Sequence, residues 1–210
     1  MARTYQSPER AAQAERTREA IIEAATTAFL ERGYAATTIA AVARNAGVSG
    51  PTIEATFGTK ARLLKAAIDV AIVGDHESVG VLDRGWAIAT DPPQFLDAVG
   101  VALRDAQLRS AGLVLAVFEG GTVDDELQAL GEQLVAQRLV TAGWIVDRLP
   151  RRAGMTRRDA VDTVWLLMDS AVFVRLTRDR GWTPTRYGRW FAATAARLVL
   201  DPEPTRRSKR

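Results

Sequence analysis

Between Thr38 and Lys60 the chain reads TIAAVARNAGVSGPTIEATFGTK, a stretch whose side chains suit hydrogen bonding to a partner rather than bond making. Its second half would present Gly50, Pro51, Thr52, Glu54, Ala55 and Thr56 outward if Ile53 and Phe57 anchor it from below. Two short helices must hold those groups in place. Thr38 can cap the first, its hydroxyl accepting from an orphan backbone N–H, and Ile39, Val42, Ala43 and Ala46 then share one apolar face. Gly47 stops that helix, because a glycine takes positive φ without steric cost, and Val48 tucks into the angle that follows. Ser49 caps the second helix, with Gly50 and Pro51 in its first turn, where a missing N–H costs nothing. Ala43 and Ala46 are small where two helices must cross closely. The pattern is that of a helix-turn-helix.

Composition narrows the alternatives. A chain of 210 residues can hold one large domain or a small one fused to a larger one, and 47% hydrophobic content excludes global disorder. Without cysteine there can be no disulfide and no thiolate metal site, which suits a reducing cytoplasm. The polar start, MARTYQSPERAAQAERTREA, and the lack of a long uninterrupted apolar run predict a soluble, cytoplasmic protein with no membrane partner. The net charge of +3 is weak evidence for DNA, since Arg206, Arg207, Lys209 and Arg210 alone outweigh it. Lysine occurs only at positions 60, 65 and 209, an arginine habit that fits a GC-rich genome. Enzymatic chemistry finds no support: His76 is the single histidine, no Gly-rich phosphate loop follows a strand, and no cofactor is expected. Asp75, His76 and Glu77 are consecutive, which is poor geometry for a metal and reads better as a solvated loop.

The run Gly33-Tyr34, Thr37-Thr38-Ile39, Ala43, Ala46-Gly47-Val48-Ser49, Thr52-Ile53, Phe57 and Lys60 resembles the DNA-binding domain of the TetR family of transcriptional regulators, in its actinobacterial, ligand-responsive form. The resemblance covers about Arg16 to Leu64 and is one of architecture beyond. It implies that Thr52, Glu54, Ala55 and Thr56 face bases, that Thr38, Ser49 and Lys60 hold phosphates, and that Arg16, Thr17 and Arg18 lie near the DNA backbone. Those arginines could instead pair with Glu15 and Glu19. One departure stands out: Glu54 and Thr56 replace the Tyr and the following His or Tyr of the family pattern. A carboxylate there repels phosphate or accepts from a cytosine N4 amine, unless it is merely solvated or paired with an arginine.

All remaining elements read as helices, so the expected fold is all-α: a DNA-binding domain over 1–60 with an N-terminal extension, a helical ligand-binding and dimerisation domain over 61–200, and a basic disordered tail over 201–210. Pro8 opens a first helix reaching Arg32, and Thr59 caps another that runs to about Val73. Phe95, Val99, Leu103 and Ala106 mark one helix, and Leu113 to Phe118 a separate one. A long helix follows Asp124 to Leu149. Thr156 starts one carrying Val161, Val164, Trp165, Met168, Val172 and Leu176, which Gly181 stops, and Tyr187, Trp190, Phe191, Thr194, Leu198 and Val199 form the last stripe.

The helices between Phe95 and Met168 would enclose a cavity whose candidate lining is Trp86, Phe95, Leu103, Phe118, Trp144, Trp165 and Met168, suited to an apolar or amphipathic effector. Asp169 would be its polar handle or a surface carboxylate. The last two long helices are apolar on more than one face, and the resemblance implies a homodimer packed through Val172, Phe173, Leu176, Trp190 and Phe191, reading a palindromic operator. The function implied is a ligand-released repressor. The alternative is a small-molecule binding or scaffold protein of the same fold that has lost specific DNA binding through Glu54.

Overall fold

The computed structural model describes residues 8–74, 91–122 and 124–201, and among them the secondary structure is helical apart from one isolated bridge, Arg151 to Leu200. The elements in order are α1 (Pro8–Ala36), α2 (Ile39–Ala46), α3 (Gly50–Phe57), α4 (Lys60–Val73), α5 (Pro92–Gly120), α6 (Asp125–Val146), α7 (Arg157–Leu167), α8 (Ser170–Val174) with a π-helical turn over Arg175–Asp179, and α9 (Pro184–Val199). None of the described helices is long and apolar enough to cross a membrane, and no described group of acidic or histidine side chains could hold a metal. The loop with Asp75, His76 and Glu77, Trp86 and residues 202–210 lie outside the described residues.

The chain divides into two compact units. One is Met1–Ala71 with Gly112–Gly131; the other is Ile72–Ala111 with Glu132–Arg210. The first is therefore larger than the 1–60 expected from the motif. Its core takes Ile21, Ile22, Ala25, Ala28 and Phe29 of α1, Leu63, Leu64 and Ile68 of α4, and also Leu113, Val117 and Leu127. Burying those later residues stabilises the unit by the usual 1.5–3 kcal/mol or so for each large side chain. Gly33, at φ 74°, breaks α1 where the chain must turn toward α2.

In the second unit the core gathers Phe95, Leu96, Val99, Ile145, Val146, Val164, Tyr187, Phe191 and Ala195. α5 and α9 cross at Gly100 and Gly188, so closely that a Cβ on either would run into the other's carbonyl oxygen. Three expectations are corrected here. α5 is one helix of 29 residues, not two: Gln107 and Ser110 continue its buried stripe as polar residues, which hides the continuity from an apolar pattern. The helix after Thr156 breaks at Met168, because Asp169 takes extended backbone and its carboxylate caps α8 by accepting from Ala171 N–H at 2.7 Å. The stripe of α9 is Tyr187, Gly188, Phe191, Ala192, Ala195 and Val199, while Leu198 is exposed.

Candidate nucleic-acid interface

Local chemistry builds the helix-turn-helix as its residues dictate. Thr38 Oγ1 accepts from Ala41 N–H at 3.1 Å, Gly47 sits in the left-handed region at φ 67°, and Val48 N–H closes the turn onto the Ala43 carbonyl at 3.0 Å. Ser49 Oγ accepts from Thr52 N–H at 3.3 Å and shares a 2.7 Å hydrogen bond with the Thr52 hydroxyl. Ile53 and Phe57 are buried, so the opposite face of α3 is fixed outward: Pro51, Glu54, Ala55 and Thr56 are exposed, and Gly50 and Thr52 half-exposed. Thr56 donates its hydroxyl to the Thr52 carbonyl at 2.7 Å, leaving its oxygen to accept. Glu54 forms no ion pair with any described residue, so the pairing considered for it from sequence is not found.

Arg16 and Thr17 both turn back to Gln13, through a 2.7 Å bond to its side-chain oxygen and a 2.9 Å bond to its carbonyl. Arg18 lies over the Phe57 ring at 4.9 Å, which ties α1 to α3. Neither arginine pairs with Glu15 or Glu19 among the described contacts.

Lys60 is placed differently from a free phosphate clamp. Its ammonium donates to the Tyr34 carbonyl at 2.9 Å and the Thr37 carbonyl at 3.1 Å, and sits 4.0 Å from the centre of the Tyr34 ring. It braces the turn from which α2 departs. Burial lowers its pKa, while the nearby Asp124 opposes that shift. Thr37, fully buried, adds a hydroxyl 2.8 Å from the Gly33 carbonyl oxygen and 3.0 Å from that of Ala28. Tyr34 stacks on Phe29, and its hydroxyl approaches Asp124 at 3.5 Å; burial first, then the Asp124 charge, push its pKa up to about 12. Thr59 donates to Glu126 at 3.1 Å. In sequence this clasp shows only as motif letters, because Lys60 bonds to backbone carbonyls 23 and 26 residues away and the carboxylates lie 67 to 90 residues away.

The candidate ligand residues of the second unit are brought together only in part. Phe95 and Trp144 are in ring contact at 5.9 Å, Leu103 and Met168 are buried in the same core, and Trp165 is half-buried at its edge. Phe118 does not belong with them: it falls in the first unit, beside Gly131, and is 42% exposed. Asp169 is neither free nor on the open surface, since it pairs with Arg138 at 2.5 Å, and Arg138 in turn lies 4.2 Å over the Trp165 ring. Among the candidate dimer residues, Val172, Leu176 and Trp190 are half-buried, but Phe173 and Phe191 are interior to the single chain. Phe191 packs in the α9 stripe and Phe173 edge-on against Tyr187 at 5.0 Å, so both belong to the core.

Residues 21–67 match the family described as bacterial regulatory proteins, tetR family. Over 122 residues the chain is 47% identical to the HTH-type transcriptional regulator TtgR and 34% identical to the probable HTH-type transcriptional regulator ArpR, both of Pseudomonas putida. Each match covers 58% of this chain and 50% of the relative, so the chain spans about half the length of the curated relatives it matches. Among solved structures it is similar to NalD, the secondary repressor of the MexAB-OprM multidrug efflux pump in Pseudomonas aeruginosa, with TM-score 0.67 and 22% identity over 90% of this chain and 99% of that one. It is similar also to FadR from Bacillus subtilis in complex with stearoyl-CoA, with TM-score 0.66 and 16% identity over 84% of this chain and 96% of that one. At these identities the two structures show a shared fold.

Proposed function

We propose that the chain, whose residues 21–67 match the tetR family of bacterial regulatory proteins, is a cytoplasmic transcriptional repressor that binds palindromic operator DNA as a homodimer and is released by a small apolar or amphipathic molecule. The observation that carries this is the outward face of α3, held by buried Ile53 and Phe57 and capped by Ser49. Thr52, Glu54, Ala55 and Thr56 read base edges from it, with Glu54 accepting from a cytosine N4 amine. Thr38, Ser49, Arg16, Thr17 and Arg18 hold phosphates, and Lys60 offers its remaining N–H there while keeping the turn in shape. Leu166 of α7 and Leu198 of α9 are exposed, at 58% and 42%, and with half-buried Val172, Leu176 and Trp190 they support association of two copies through the last helices. An effector needs only a differential affinity for two conformers of the second unit to alter the spacing of paired readers.

Titrating a mixed-sequence duplex with the full chain at several salt concentrations tests the reading. Two copies per duplex and a steep loss of affinity with salt are expected. One copy per duplex, or binding indifferent to salt, contradicts it.

A further inference from the structure

The break between α7 and α8 collects buried polar atoms that the fold leaves unsatisfied. Gln107 of α5 is 5% exposed; its amide N–H donates to the Met168 carbonyl at 2.7 Å, which fixes its orientation, and its Oε1 has no partner. Next in sequence to Met168, Asp169 takes the Arg138 guanidinium through Nη1, and the buried Arg138 Nε has no acceptor. Trp165, under that guanidinium, buries its indole Nε1 without an acceptor. Tyr187 is spoken for, since its hydroxyl donates to the Leu167 carbonyl at 2.9 Å. Buried polar atoms left unpaired cost about 1–3 kcal/mol each, and three around one helix break are unusual where the other buried polar side-chain atoms of the described residues are bonded.

We infer that this cluster is the polar anchor of the effector site and that it takes a neutral amide or lactam. An amide carbonyl has two lone pairs, one for Arg138 Nε–H and one for Trp165 Nε1–H, and its N–H donates to Gln107 Oε1. Neutrality follows from charge: Arg138 is already matched by Asp169, so a charged ligand would bring an uncompensated charge into a half-buried place. The ion pair and Trp165 form the partly exposed side, so the group reaches the anchor from there. The inference rests on the reading of the chain as a ligand-released regulator and replaces a purely apolar effector with one carrying a polar head.

The test uses the full chain labelled with ¹⁵N, following the Trp165 indole N–H resonance, assigned by its loss in Trp165→Phe. Four probes share one ring: benzamide has acceptor and donor, acetophenone only the acceptor, benzoate a charged acceptor, ethylbenzene neither. Benzamide is expected to shift the Trp165 resonance and to bind about tenfold more tightly than acetophenone, as one hydrogen bond is worth, with benzoate and ethylbenzene weaker still. In Gln107→Leu the preference for benzamide over acetophenone should vanish. Equal binding of benzamide and ethylbenzene, or no shift of the Trp165 resonance with any probe, overturns the inference and gives the three atoms to a buried water. A specific duplex complex with no response to benzamide overturns the anchor and leaves the repressor standing. Benzamide bound at Trp165 in a chain that binds no duplex sustains the anchor and overturns the repressor.

Discussion

The two units differ in their buried polar groups: among the described residues only the second leaves buried side-chain atoms unpaired. In the first, Thr37 is buried and Lys60 half-buried, and their donors find carbonyls: Lys60 on Tyr34 and Thr37, Thr37 on Gly33 or Ala28. In the second, Gln107, Arg138 and Trp165 each bury an atom with no partner. A reader that must offer a fixed face gains from saturated internal bonds, which leave one geometry for α3. The proposed effector site needs the reverse, because bonds left unmade in the free protein are available to a ligand.

The largest effect that separates the units as described is in the second core. Phe191→Ala should cost about 3–5 kcal/mol, read as a shift of the urea midpoint. A variant of unchanged stability that only fails to dimerise would return Phe191 to an interface and undo its placement in the core. Next comes Lys60. Lys60→Met removes two bonds to partly buried carbonyls and should lower stability by about 1–3 kcal/mol, with loss of duplex binding following from a disturbed α2 turn. Were Lys60 only a phosphate contact, stability would hold and the salt slope would fall by about one. Ser49→Ala should cost about 1 kcal/mol through the lost α3 cap, measured by thermal melting.

The pH responses are smaller. Tyr34 titrates at about 12 in the fold against an ordinary 10.0, so its contribution is complete below 10 and is lost as pH rises through 12, because the unfolded tyrosine ionises first. Tyr34→Phe should flatten that alkaline decline, leaving the part due to Tyr187, whose burial also raises its pKa. The least effect belongs to the exposed pair Asp147 and Arg157, joined at 2.7 and 2.8 Å. Hydrogen bonding by Arg157 holds the Asp147 carboxyl below its ordinary 3.8, so the pair stabilises above that pH and fades as acid protonates Asp147. Arg157→Ala should move the acid-unfolding midpoint slightly upward and leave neutral stability nearly unchanged.

What the sequence disclosed follows the same division. Caps and turns at Thr38, Gly47, Ser49 and Thr156 are decided within three or four residues, so their letters suffice. The break at Asp169 is masked although its cap onto Ala171 is just as local, since the stripe from Val161 to Leu176 keeps helical spacing across it; Arg138, 31 residues distant, pairs with the same carboxylate. Gln107 and Ser110 interrupt the apolar pattern of α5, so apolar spacing alone divides one helix into two. Phe173 and Phe191 show the limit of counting apolar faces: the second face they supply is consumed by the chain's own core.

Whether α3 reads base pairs is decided by selecting from a random duplex pool at near-physiological salt with the full chain and with Glu54→Ala. An enriched palindrome with two half-sites is expected, and in Glu54→Ala the same palindrome with selectivity relaxed at one base pair in each half. No enriched sequence from the unaltered chain, with Glu54→Ala binding all duplexes more tightly, would contradict base reading by α3.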